Sequence, residues 1–135
     1  MTPAEPRFDI DFKYGRQAEL LVGDYLKWIA DGNGRVEVKR KRRLDLDFYV
    51  EQECDKGRTG NYSPSGIATT DSDLWVYVIG DTGIAICIPT PLLRAAMQRN
   101  GARPVEERDG SCPTKGLLVN IGAILQEANG PRLPS

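Results

Sequence analysis

The chain has 135 residues and a formal charge of −1, which suits one domain around one core and excludes a polycation. No run approaches the ~20 apolar residues of a membrane span, so no membrane partner is expected. Histidine is absent, which removes the commonest general base and the usual zinc ligand and leaves carboxylates, lysine, tyrosine, thiols or a hard metal for any chemistry.

The opening MTPAEPRFDIDF lacks the basic-then-apolar layout of a secretion signal and reads as a loosely ordered lead-in with a short extended piece as far as Lys13. Residues 15–30 then carry a helical stripe, with Ala18, Leu21, Val22, Tyr25, Leu26 and Ile29 on one face. That face is expected to cover a sheet. Glu19 lies about a quarter-turn from the centre of the stripe, and Trp28 would cover its end. The DGNG at 31–34 ends the helix.

Residues 36–53, VEVKRKRRLDLDFYVEQE, read as two strands with a tight basic connection. Alternation puts Val36 and Val38 on one face of the first strand and Glu37 and Lys39 on the other. In the second, Leu46, Phe48 and Val50 share a face, opposite Asp47, Tyr49, Glu51 and Glu53. If the strands form a hairpin turning near Leu44, Glu37 falls opposite Glu51, with Cβ atoms ~4.5–5.5 Å apart. Carboxylates that close need a cation between them, either a divalent metal or a lysine such as Lys39. The alternative is an exposed hairpin face with ordinary surface charges. Five consecutive cations, Lys39, Arg40, Lys41, Arg42 and Arg43, adjoin this pair. With Lys56 and Arg58 they make a basic region suited to phosphates.

Residues 54–65 are glycine-rich and polar, which predicts a mobile flap. SGIATTDSD at 65–73 reads as a compact polar segment with a short helical turn. LWVYVI at 74–79 reads as a buried strand, DTG at 81–83 as a turn, and 84–88 as another buried strand with Cys87 as an apolar filler. Thr90 and Pro91 open a second helix, with Thr90 as its cap, which ends at Asn100-Gly101. Residues 103–115 read as a charged loop, 117–121 as a short strand and 122–128 as a final helical turn or two. The tail, 130–135, is expected to fray. Cys54, Cys87 and Cys112 lack metal-ligand spacing and read as reduced thiols of a cytoplasmic protein.

In this order the chain resembles the restriction-endonuclease-like, or PD-(D/E)xK, nuclease superfamily, and its small phage and bacterial members in particular. The resemblance rests on a helix acid (Glu19), a strand acid (Glu37) and a second strand with Glu51-Gln52-Glu53. SGIATTDSDLWVYVIG at 65–80 and TKGLLVNI at 114–121 add to it. It covers about residues 15–125 of one domain spanning 1–135. It implies an α/β fold with a restriction-endonuclease-like core, a mixed central β-sheet flanked by helices.

The implied activity is metal-dependent hydrolysis of DNA phosphodiesters. Mg²⁺ or Mn²⁺ would lower the pKa of its water and polarise the phosphate. The resemblance implies Glu37 and Glu51 as direct ligands, Glu19 as an accessory ligand, the Gln52 carbonyl as another, and Glu53 as a water-mediated ligand or the residue that orients the nucleophile. Glu53 stands where the pattern has lysine, so Lys39, or else Lys56, would take the lysine's role. Residues 40–43 with Lys56, Arg58, Thr69 and Thr70 would hold the phosphate backbone. A Holliday-junction resolvase acting as a homodimer on branched DNA is the alternative enzyme. An inactive nucleic-acid- or protein-binding module, such as a phage-encoded inhibitor, is the alternative outside enzymes.

Overall fold

The computed structural model describes residues 6–31, 35–99, 101–108 and 110–130, with side chains from residue 13 onward. Residues 32–34, where the turn ending the first helix was expected, Asn100, at the expected end of the second, and residues 131–135, where fraying was expected, lie outside the described residues. The chain divides into two compact units, one ending at Val36 and one beginning at Glu37.

The first unit is one long helix, α1 (Pro6–Asp31). It starts well before residue 15 and takes in most of the expected lead-in. Proline suits a first helical position because its φ is preset and its missing N–H has no helical partner there. Leu21, Val22, Leu26 and Ile29 of the expected stripe are exposed. At the helix end the Tyr25 and Trp28 rings pack in a tilted arrangement, with centroids 5.8 Å apart. The Arg35 guanidinium lies over Trp28 at 5.5 Å.

Among its described residues the second unit holds seven strands in two sheets, where a single central sheet was expected. One sheet has the order β1 (Val36–Lys41), β4 (Leu74–Ile79), β5 (Ile84–Pro89). The other has the order β3 (Ser63–Pro64), β2 (Asp47–Cys54), β7 (Thr114–Asn120), β6 (Arg103–Glu107). The β1–β2 hairpin does not form. β1 takes the buried apolar β4 as its neighbour, and β2 takes β7, with Glu51 opposite Gly116 rather than Glu37.

Alternation on β2 sends Phe48 and Val50 into the core, both fully buried, and leaves Asp47, Tyr49 and Glu51 on the other face. Phe48 meets Tyr77 of β4 at 4.8 Å between ring centroids, joining the two sheets. The Tyr77 hydroxyl donates to the Tyr49 carbonyl at 2.8 Å and pins them further. Trp75 and Tyr77 are core residues, as read from the sequence. A short 3₁₀ turn, Gly66–Ala68, packs Ile67 into the same core. Two helices, α2 (Thr90–Ala96) and α3 (Ile121–Ala128), complete it with Leu93, Ala96 and Ile124. Arg99 and Glu127 tie their ends through an ion pair of 2.6 Å.

Three expectations change here. Residues 103–107 are strand β6, paired with β7 from Arg103 opposite Leu118 to Glu107 opposite Thr114. Proline and charges are tolerated there because β6 is a sheet edge. β5 is also an edge, so Ile84 is exposed and the strand is only partly buried. Thr90 is the first helical residue of α2, the cap is Pro89, and the Thr90 hydroxyl is buried without a hydrogen bond. At α3 the Asn120 side chain does cap, accepting from Gly122 N–H at 2.8 Å.

Candidate nucleic-acid interface

A cleft of about 680 Å³ opens within the second unit. One wall is the end of β1 and the corner after it, Lys39 to Arg43. The floor is the polar face of β2, with Asp47, Tyr49 and Glu51, beside Trp75 and Tyr77 of β4. The far wall is Arg103, Val105 and Glu107 of β6 and the segment 110–114. Six cations (Lys39, Arg40, Lys41, Arg42, Arg43 and Arg103) and four carboxylates (Asp45, Asp47, Glu51 and Glu107) line it, before Glu37 and Asp81, which pair with Lys39 and Arg40 from outside the lining, are counted. Clustered cations in a concave surface attract polyanions locally.

The corner between β1 and β2 is fixed by its own side chains. Lys41 Nζ bonds the Asp45 carboxylate, and it donates to the Arg43 carbonyl at 2.9 Å. Asp45 accepts the Asp47 N–H at 3.1 Å. The Lys41 ammonium, and then that N–H, hold the Asp45 carboxyl below its usual range. Arg42 and Arg43 are left exposed at the cleft mouth. Arg40 pairs with Asp81 at 2.8 Å, and Asn120 donates to Asp47 at 2.8 Å.

Glu37 and Lys39 share a face, as alternation requires, and their side chains pair at 2.9 Å. Lys39 Nζ also lies 5.8 Å from the centroid of the Trp75 ring. Lys39 lines the cleft, and Glu37 reaches it through this ion pair. Glu37-Val38-Lys39 has the acid-x-lysine spacing that residues 51–53 lack, and Lys39 is the residue the sequence reading put in the lysine's place.

Glu51 is the expected acid that lies in the cleft. Two glycines set its backbone. A Cβ on Gly116 would sit 2.1 Å from the Val50 carbonyl oxygen, and a Cβ on Gly66 would sit 2.4 Å from that of Glu51. Only glycine lets β7 and the 3₁₀ turn approach so closely, and Gly66 also has φ +55°.

Past Glu51 the register shifts, leaving Gln52 as the extra residue of a β-bulge. The Gln52 carbonyl accepts Ser65 N–H at 2.9 Å. The bulge takes Glu53 out of phase with Glu51, and Glu53 does not line the cleft. The face expected to carry Asp47, Tyr49, Glu51 and Glu53 together therefore ends at Glu51. Tyr49 bonds Thr114 across the floor at 2.7 Å. Burial, opposed by that bond, and the charge of Glu51 push its phenol up.

The remaining expected residues lie elsewhere. Glu19 is on the first unit, paired with Arg16 at 3.0 Å. Lys56 and Arg58 sit on the 54–65 loop outside the cleft lining. That loop is held rather than free: the buried Asp55 carboxylate accepts N–H groups of Thr59 at 3.0 Å and Gly60 at 2.8 Å. Arg58 donates to the Gly110 carbonyl at 3.1 Å. Thr69 and Thr70 bond within their own turn, where Arg94 donates to the Ile67 and Thr70 carbonyls.

Among the described residues no three Asp, Glu or Cys side chains are gathered closely enough to form a metal cage. Mg²⁺ does not require one. It is usually held by one or two carboxylates, with water and substrate phosphates completing its octahedron. Glu51, on the floor among cations, fits that mode; Glu37 and Gln52 are not themselves in the cleft lining. No helix among the described residues is long and apolar enough to cross a membrane.

No family model, no curated protein and no solved structure matches this chain.

Proposed function

We propose that this protein is a metal-dependent nuclease that draws a DNA backbone into the cleft between its two sheets. The observation that carries the reading is the meeting of Glu51 with the cation run of residues 39–43 in one cleft. Phosphate contacts come from Arg40, Arg42, Arg43 and Arg103, which fix position without reading sequence. Glu51 would hold Mg²⁺ or Mn²⁺, with water and the bound phosphate supplying its other oxygens. The metal, when bound, activates water and neutralises the phosphate. Lys39, braced by Glu37 and the Trp75 face, presents its ammonium toward the attacked phosphate. The order of acids and the 65–80 segment, which resemble restriction-endonuclease-like proteins, support the same reading. Branched DNA and a homodimer belong to it as the resolvase form, and reduced thiols suit a cytoplasmic setting.

A second reading, binding without cutting, draws on the absence of an acidic trio among the described residues. Binding in EDTA, followed against salt by fluorescence anisotropy, tests the part shared by both. Each lost phosphate contact lowers the slope of log K on log salt by about 0.9 for duplex DNA. Arg42→Ala and Arg43→Ala together should therefore lower it by up to ~2. Binding that ignores salt, or a slope unchanged in the double variant, removes the cleft as a DNA site.

A further inference from the structure

Cys54 closes β2, and Cys112 stands just ahead of β7. They are 58 positions apart in sequence, yet their Sγ atoms lie 2.9 Å apart. The backbone holds them there. Cys54 pairs with Thr114 in the ladder, and Asp55 N–H donates to the Pro113 carbonyl at 2.9 Å. The bulge at Gln52 puts Cys54, rather than Glu53, in phase with the face of Tyr49 and Glu51. Both thiols are free in the structure. A disulfide of ~2.05 Å would require the sulfurs to approach by less than ~1 Å, within reach of side-chain rotation.

The two thiols differ in access. Cys112 is half-buried and lines the cleft, whereas Cys54 is buried. The neighbouring Cys112 thiol, and then burial, push the Cys54 thiol up to about 11. An external reagent therefore meets Cys112 first.

We propose that Cys54 and Cys112 form a redox-linked dithiol that closes to an intramolecular disulfide by exchange with a small oxidised thiol such as glutathione disulfide. The Cys112 thiolate attacks one sulfur of that disulfide, forms a mixed disulfide and releases one thiolate, which takes up the proton Cys112 lost. Cys54 sulfur then attacks Cys112 Sγ. The protein disulfide forms, the mixed bond breaks, and the second glutathione leaves carrying the Cys54 proton. Two electrons pass from the protein thiols to glutathione disulfide. The bond ties the end of β2 to the segment that forms one cleft wall through Gly110, Ser111 and Cys112. Cys87, on β5 of the other sheet, is left as the free thiol. This assignment does not depend on what the cleft binds.

The test treats the folded full chain with glutathione disulfide, alkylates the remaining thiols and maps the peptides. The expected result is a fall from three free thiols to one, a single peptide pair joined through Cys54 and Cys112, and full reversal by dithiothreitol. The Cys87→Ser variant should lose both its thiols in the same way. In Cys112→Ser, the Cys54 thiol should remain free under the same treatment. A glutathione adduct that persists on Cys112 without closing, a linkage that includes Cys87, or a Cys54–Cys112 bond that forms only in denaturant would each overturn the proposal.

Discussion

Replacing Gly116 by alanine should damage this protein far more than a one-carbon change suggests, because of where the carbon must go. The new Cβ would lie 2.1 Å from the Val50 carbonyl oxygen, 2.8 Å from its carbon and 3.0 Å from the Glu51 Cα. All three are backbone atoms of β2 where it pairs with β7, so no side chain can swing aside. β2 and β7 must separate at the centre of their ladder. Overpacking of a well-packed site costs ~1–3 kcal/mol, and the backbone contacts put Gly116→Ala at the upper end, ~3 kcal/mol. Gly66→Ala adds a second penalty. Its Cβ would lie 2.4 Å from the Glu51 carbonyl oxygen, and φ is +55°. The left-handed conformation costs another ~1–2 kcal/mol for a residue with a Cβ. Gly60→Ala is the control, since φ is +86° but nothing lies within 4 Å of its Cβ. It should carry only the conformational cost of ~1–2 kcal/mol. Urea unfolding reads all three. With an m-value of ~2 kcal/mol/M, Gly116→Ala should lower the midpoint by ~1.5 M and Gly60→Ala by less than ~1 M. Gly66→Ala should fall at least as far as Gly116→Ala. Midpoints for Gly66→Ala and Gly116→Ala no lower than that of Gly60→Ala would refute the claim that these glycines clamp the Glu51 backbone.

Tyr77→Phe removes the hydroxyl that bonds the Tyr49 carbonyl and should cost ~1–2 kcal/mol in the same assay. Burial raises the Tyr77 phenol, so its contribution is complete below the unfolded value of ~10 and is lost as pH rises toward the higher folded value. Stability should therefore decline above about pH 10, and less steeply in Tyr77→Phe. Asp55→Ala strips the Thr59 and Gly60 N–H groups of their acceptor, and trypsin should then cut the native protein faster after Lys56 and Arg58. Unchanged cleavage would show that the loop is held by something other than Asp55. Arg103→Ala should weaken DNA binding at low salt, while Arg58→Ala, outside the cleft lining, should leave it nearly unchanged.

Local pattern explains which parts of this chain could be read without a structure. LWVYVI and the Phe48/Val50 alternation are intrinsic to their segments, so both strands and their buried faces follow from residue spacing. The pairing of β1 does not. VEV has no feature that selects Phe48's strand over Trp75's, and the tight turn near Leu44 made the hairpin look obligatory. β6 was hidden because RPVEE forms a strand only when β7 supplies its partner. The bulge at Gln52 has no local signature either, yet it decides that Glu51 lines the cleft and Glu53 does not. Gly116 and Gly66 were the readable clues to that close packing, since an isolated glycine beside a strand often marks a near approach of backbones. The cation run was legible in full. Its opposite wall, Arg103 and Glu107, was not, because only the fold brings residues so distant in sequence to one cleft.

The central claim is that Glu51, set among cations in the cleft, supports metal-dependent cutting of DNA. The most direct measurement is nicking of supercoiled plasmid and of a four-way junction with Mg²⁺, with Mn²⁺ and with EDTA, for the native chain and for Glu51→Gln. Cutting that requires metal and is lost in Glu51→Gln, while that variant keeps its fold and its binding in EDTA, is the predicted result. Cutting that survives in Glu51→Gln, or a folded native chain that cuts neither substrate with either metal, would contradict the account.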